Sequence, residues 1–141
     1  MFANAGRMSY TPLLEMTTER WEEVLQVNLR GVMFCFREAV KHMVDRGGSG
    51  KLVAISSVGS MHGMPKGTHY SSSKSALQGL VRSTAVEYAK HDIQANVILP
   101  GWITTEMTGP ARSWKALEQT IVKRTPAVRW GDPEDFAGIV V

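Results

Sequence analysis

Lys51-Leu52-Val53-Ala54-Ile55 is a short apolar run, closed at once by Ser56-Ser57. A brief unbroken apolar run between turn signals reads as a strand buried on both faces, as in a parallel sheet. Parallel strands need long crossovers between them, and the flanking sequence supplies two. Thr17 reads as the N-cap of a long helix from Thr18 to Asp45, with Glu19 favourably placed in its first turn. Arg20 stands where a capping box would carry Glu or Gln, and Gly47-Gly48 end the helix. Its apolar stripe is Trp21, Val24, Leu25, Val32, Phe36, Ala39, Val40 and Met43. A second helix is predicted over Thr68 to Lys90, where Tyr70, Lys74, Leu77, Val81, Thr84, Ala85 and Tyr88 recur at helical spacing. Gln94 to Leu99 reads as a further buried strand, broken by Pro100-Gly101. Met1-Phe2-Ala3 reads as the tail of an earlier strand. This alternation of strand and helix points to the α/β class.

In an open parallel sheet the ligand site lies at the carboxyl ends of the strands. Asn4, Ser57 and Pro100-Gly101 all follow such ends. Tyr70 and Lys74 stand at i and i+4 of the second helix, on one face. An ammonium there lowers a phenol pKa from its ordinary value of about 10, which suits proton exchange near neutral pH. The same spacing also describes an ordinary surface pair. Ser71, Ser72, Ser73, Ser75, Ala76 and Gly79 let a backbone or cofactor approach the start of this helix. Asn28 interrupts the stripe of the first helix. An unpaired buried amide costs about 1–3 kcal/mol per group, so Asn28 either satisfies local backbone groups or holds a water or ligand. Asn4-Ala5-Gly6 suits a turn leaving a strand, as a plain loop or as a close approach to a ligand. Val58 to Thr68 reads as a loop, and its His62 as a solvated side chain. Cys35 reads as a small core or interface residue.

The chain has 141 residues, 43% hydrophobic and 21% charged, as expected of a globular domain. Its net charge of +3 comes from scattered side chains, so no nucleic-acid partner is expected. A single cysteine fits a reducing, cytoplasmic setting. No apolar run approaches the roughly 20 residues of a membrane span, and no signal peptide or metal-ligand spacing is visible. Gly109 to Thr125 reads as a helical flap in which Trp114 packs. Trp102, Met107 and Trp114 hint at an apolar pocket. Asp132 and Pro133 read as cap and first residue of a last helix, whose apolar pattern Phe136 to Val141 runs to the final residue without a stop signal.

Asn4-Ala5-Gly6, Val27-Asn28-Leu29-x-Gly31, Ile55-Ser56-Ser57, Tyr70-x-x-x-Lys74, Pro100-Gly101-x-Ile103-x-Thr105 and Arg129-Trp130-Gly131-x-Pro133-Glu134-Asp135 follow one another in order. This ordered set resembles the short-chain dehydrogenase/reductase family, over essentially the whole chain. The resemblance implies a Rossmann-like doubly wound parallel sheet and hydride transfer between NAD or NADP and a small alcohol or carbonyl. It implies Tyr70 as general acid/base and Lys74 as the group that tunes it and binds the nicotinamide ribose. It implies Ser57 on the substrate oxygen and Asn28 holding a water in a proton relay. It also implies Asn4, Ala5, Gly6, Pro100, Gly101, Ile103 and Thr105 along the cofactor, and a homo-oligomer paired through the two long helices. The family's Gly-rich phosphate loop is not in this sequence. The expectation is therefore a partial Rossmann-like sheet, truncated at both ends, with residues 1–141 as the catalytic half of one domain. The alternative is a non-enzymatic remnant that keeps only the helix-mediated interface.

Overall fold

A computed structural model describes residues 1–139, which divide into two compact units, one of Met1–Leu99 and one from Pro100 onward. The first unit holds a parallel sheet of β1 (Phe2–Ala3), β2 (Gly50–Ile55) and β3 (Ile93–Ile98), in that order across the sheet. Ala3 faces Ala54, and Ala54 faces Val97. All three strands therefore end at the same edge, as the sequence implied.

The first crossover is more varied than one long helix. It runs as α1 (Thr18–Leu25), a π-helical segment over Gln26–Gly31, and α2 (Val32–Asp45). Thr17 caps it as expected, its Oγ1 accepting from the Arg20 N–H at 3.3 Å. The turn after α2 has positive φ at Gly47 and Gly48. A Cβ on Gly48 would meet the His91 carbonyl oxygen at 2.7 Å, so glycine is required there. The predicted loop after β2 contains a short helix, α3 (Gly59–His62), with His62 exposed. The second crossover, α4 (Thr68–Tyr88), passes into a 3-10 turn over Ala89–His91.

One core joins Ala3, Leu52, Ala54 and Ile93 of the sheet to Val32, Phe36, Val40 and Met43 of α2 and Leu77 and Val81 of α4. Both crossover helices thus cover the same face of the sheet. On the other face Phe2, Lys51, Gln94 and Asn96 are exposed, and Val53 and Ile55 are half-buried. Among the described residues, β2 and β3 are therefore covered by helices on one face. The unbroken run Leu52–Ile55 does not distinguish a fully buried strand from one covered on one side. Cys35 is exposed, so it is not a core residue.

In the second unit the predicted helical patch is split at Trp114 into α5 (Gly109–Ser113) and α6 (Lys115–Arg124). Trp114 is 65% exposed, against the expectation that it packs, and Met107 is exposed as well. Trp102 instead stacks edge-on against Trp130, with centroids 5.4 Å apart. These positions do not form the expected apolar pocket of Trp102, Met107 and Trp114. Pro133–Ile139 is a 3-10 helix, and its start is held by Asp135 rather than Asp132. The Asp135 carboxylate accepts from the Asp132 N–H at 2.9 Å and from both Arg129 terminal nitrogens at 2.8 and 2.9 Å. Those donors favour the ionised form and pull the Asp135 pKa down to about 2. Val140 and Val141, at the end of the expected helical pattern, lie outside the described residues. Among the described residues no helix is long and apolar enough to cross a membrane.

Candidate active site

Tyr70 and Lys74 stand one turn apart near the start of α4 and are both buried, at 8% and 3% exposure. Two hydrogen bonds stitch this turn to the end of β2. The Lys74 ammonium donates to the Ile55 carbonyl at 2.7 Å, and the Ser56 hydroxyl donates to the Lys74 carbonyl at 2.7 Å. Lys74 Nζ lies 5.7 Å from the centre of the Tyr70 ring. Leu77, fully buried one turn further on, anchors the same face of α4 in the core.

Strand alternation separates the two serines. Ser56 is buried and spends its hydroxyl on α4. Ser57 is half-buried; its Oγ accepts from the Gly59 N–H at 3.1 Å, and a Cβ on Gly59 would lie 3.3 Å from Ser57 Oγ and 3.7 Å from Tyr70 Cε1. The sequence-predicted pair Ser57 and Tyr70 is therefore brought together.

Asn28 is completely buried within the π-helical segment. Its Oδ1 accepts from the Arg7 N–H at 2.7 Å. Its Nδ2 donates to the Arg7 carbonyl at 2.9 Å and to Ser73 Oγ at 3.1 Å. The Ser73 hydroxyl donates in turn to the Tyr70 carbonyl at 2.7 Å. Asn28 does satisfy backbone groups, but those lie 21 residues away rather than locally. An i→i+5 turn re-aims the side chain of a helix that would otherwise continue its apolar stripe. Gly6 closes this cluster. A Cβ on it would lie 3.4 Å from Lys74 Nζ and 3.7 Å from Asn28 Oδ1.

Burial pushes the Tyr70 phenol above its ordinary pKa, Ser57 pulls it down, and the phenol of Tyr10 raises it further. Burial brings the Lys74 pKa to about 8. At neutral pH the site thus presents a neutral phenol beside a largely protonated ammonium.

Asn4 and Ala5 are exposed at the end of β1, while Pro100, Gly101, Ile103 and Thr105 belong to the second unit. There Ile103 bridges to Gly131, and Thr105 bonds through its N–H and hydroxyl to Thr108. Sequence reasoning missed Ser73 as the link from Asn28 to Tyr70, and His69. His69 is fully buried beside Tyr70, with Nε2 2.7 Å from Ser9 Oγ. Burial lowers its pKa. A serine among serines and a histidine in a helix carry no periodic signal that marks them.

Lys74 has three ammonium protons and uses one on Ile55 among the described residues, leaving donors for vicinal hydroxyls. With a side-chain-free Gly6 beside it, the cluster fits the ribose end of a nicotinamide nucleotide.

The family model described as Enoyl-(Acyl carrier protein) reductase matches residues 1–141. The 2-dehydro-3-deoxy-D-gluconate 5-dehydrogenase of Escherichia coli (strain K12) is 36% identical over 98% of this chain and 54% of its own length. The 5-keto-D-gluconate 5-reductase of the same organism is 39% identical with the same coverage. A crystal structure of a gluconate 5-dehydrogenase from Burkholderia cenocepacia J2315, in complex with NADP and tartrate, superposes with a TM-score of 0.94 at 33% identity. It is covered over 98% of this chain and 54% of its own. The chain spans about half the length of the curated relatives it matches. With the ordered motifs, the parallel sheet and a family model that covers every residue, the chain belongs to the short-chain dehydrogenase/reductase family.

Proposed function

We propose that residues 1–141 form the catalytic half of a Rossmann-like domain in an NAD- or NADP-dependent oxidoreductase that interconverts a secondary alcohol and a carbonyl. The observation that carries this reading is the buried Tyr70 phenol beside Ser57, with the Lys74 ammonium one turn away. Relatives named for gluconate and ketogluconate chemistry, and a structural neighbour holding NADP, support a hydroxylated carbon chain as substrate and a nicotinamide nucleotide as partner.

When bound, the nucleotide supplies the hydride acceptor or donor. Tyr70 holds the proton that travels to or from the substrate oxygen. A phenol pushed up by burial is protonated at neutral pH, which suits donation to a carbonyl oxygen as it gains negative charge. Ser57, which pulls the phenol pKa down, is placed to donate its hydroxyl to that oxygen. Lys74 holds the nucleotide ribose with its remaining donors. Asn28 fixes Arg7 and Ser73, and through them the start of α4 and the loop beside Gly6. Asn4, Ala5, Pro100, Gly101, Ile103 and Thr105 complete the cofactor contacts in this reading.

The test follows NADH or NADPH absorbance with hydroxylated ketones. Tyr70→Phe keeps the ring and removes the proton, so activity should fall by about 10²- to 10⁴-fold with unchanged thermal unfolding. Turnover within a fewfold of wild type would refute the acid/base role.

One observation favours a second reading, the helix-mediated homo-oligomer that keeps no enzymatic role. A groove of about 390 Å³ between α2 and α4 is lined by Phe36, Val40, Leu80 and Tyr88. It would accept the same helices of a second copy. Self-association by solution mass without measurable NADH or NADPH binding would favour it over the enzyme.

A further inference from the structure

Tyr70, Lys74, Gln78 and Arg82 succeed one another at i, i+4 spacing along α4. The acid/base reading uses the first two and leaves the others without a role. Gln78 is half-buried, and both ends of its amide are engaged. The exposed Arg82 donates to Gln78 Oε1 at 3.3 Å, and Gln78 Nε2 donates to Ser60 Oγ at 2.9 Å. A guanidinium can only donate, so Arg82 fixes which way the amide faces. Ser60 Oγ, having accepted from Gln78, donates to the Ser57 carbonyl at 2.6 Å. The Ser60 N–H donates to the same carbonyl at 3.0 Å, and the Ser75 hydroxyl donates to the Ser60 carbonyl at 2.9 Å.

Donors and acceptors therefore run in one direction, from Arg82 on α4 to the backbone of Ser57. Gly59, beside Ser60 in α3, donates its N–H to Ser57 Oγ at 3.1 Å. Ser57 is thus held twice by α3, at its carbonyl and at its hydroxyl oxygen. With Gly59 donating to it, the Ser57 hydroxyl keeps its own proton to give. A Cβ on Gly59 would lie 3.3 Å from Ser57 Oγ and 3.7 Å from Tyr70 Cε1, so the two side chains border one small space. A helix of four residues is too short to hold itself. What holds α3 is α4, through Ser75 and Gln78.

We propose that Gln78 is a positioning residue for the reaction: through Ser60 it fixes the Ser57 backbone, and so the angle at which Ser57 donates to the substrate oxygen. This role rests on the oxidoreductase reading above. Hydrogen bonds weaken steeply as they bend, so a Ser57 that tilts lowers the rate of the chemical step. Nucleotide binding, assigned to Lys74 and the chain beside Gly6, does not depend on that angle.

The experiment follows NADH or NADPH oxidation with a hydroxylated ketone. Gln78→Met keeps the reach of the side chain and removes the donor. It should lower kcat about five- to tenfold, the worth of one hydrogen bond, with the dissociation constant of the nucleotide unchanged. Ser60→Ala should do the same, with no further loss in the double variant. The decisive comparison is made in Ser57→Ala, where adding Gln78→Met should leave the residual rate unchanged, because the group it aims is gone. A merely structural role would cost the same factor in both backgrounds. That result, or an unmoved kcat in Gln78→Met, would overturn the proposal. A second readout needs no turnover. Amide exchange at Gly59, followed by NMR, should speed up several-fold in Gln78→Met while that of the core residue Leu77 stays as it was, and unchanged exchange at Gly59 would overturn the clamp. Failure of the wild-type protein to reduce the ketone would overturn the oxidoreductase reading, and the positioning role of Gln78 with it, whatever the exchange shows.

Discussion

Lys74→Met isolates what the fold expends on its buried ammonium. Lys74 is 3% exposed, and burial brings its pKa to about 8 from an ordinary 10.5. A difference of about 2.5 at 1.36 kcal/mol per unit is roughly 3 kcal/mol. The sign follows from proton counting. Below pH 8 both folded and unfolded chains hold the proton, and the full cost is present. Between pH 8 and 10.5 the unfolded chain holds it and the folded chain does not, so stability rises with pH. Above 10.5 the cost is gone. The methionine variant has nothing to titrate at this position and lacks the rise.

Urea unfolding of both proteins at intervals from pH 7 to 10 measures this directly. The difference in unfolding free energy, wild type minus variant, should climb by about 2–3 kcal/mol across that range. Losing the donor to the Ile55 carbonyl shifts the whole curve of the variant but not its slope. Tyr70, pushed up by burial, contributes in the opposite direction as unfolded tyrosine ionises near pH 10, and does so in both proteins. A difference that stays flat within about 0.5 kcal/mol, inside the error of such extrapolations, would show that Lys74 is not desolvated.

Asn28→Ala removes three hydrogen bonds and strands the Arg7 N–H and carbonyl, so chemical denaturation should show a loss of about 2–4 kcal/mol. Leu77→Ala, at a fully buried position in the core, should cost about 2–5 kcal/mol without altering the pH dependence ascribed to Lys74. Gly6→Ala places a methyl 3.4 Å from Lys74 Nζ. Melting should shift by the equivalent of no more than about 1 kcal/mol, while the dissociation constant for NADPH, measured by fluorescence, should rise several-fold.

The elements that bury apolar surface were legible because their spacing repeats. The stripe on the first crossover, the spacing of α4 and the three strand ends all follow from period and punctuation. The π-helical turn at Gln26–Gly31 was not, since an extra residue in a helix leaves the local composition helical. Asn28 signalled it only as a polar residue out of place. One-sided burial of the sheet was hidden for a different reason. Val53 and Ile55 are as apolar as Leu52 and Ala54, and nothing local says which face the helices take. Trp114 failed because an aromatic at the junction of two short helices carries no information about its partner. Ser57 was legible through the ordered motif, and strand alternation then gives the physical reason for choosing it over Ser56.

Asn28 links the part of the fold that could be read to the part that could not. A buried amide needs three or four partners, and a regular helix offers none on its apolar face. The π-turn re-aims Asn28 at the Arg7 backbone, which lies there only because β1 ends and Gly6 lets the chain turn close to Lys74. Ser73 reaches it only because α4 is stitched to β2 through Ser56 and Lys74. Asn28 joins the chain just after β1 to Ser73 on α4 of the second crossover, so the amide is satisfied only when both crossovers are docked. The geometry of the candidate site and the cooperativity of the first unit therefore share one network. A variant that loosens Asn28 should lose proton-transfer geometry and stability together, whereas Tyr70→Phe separates them.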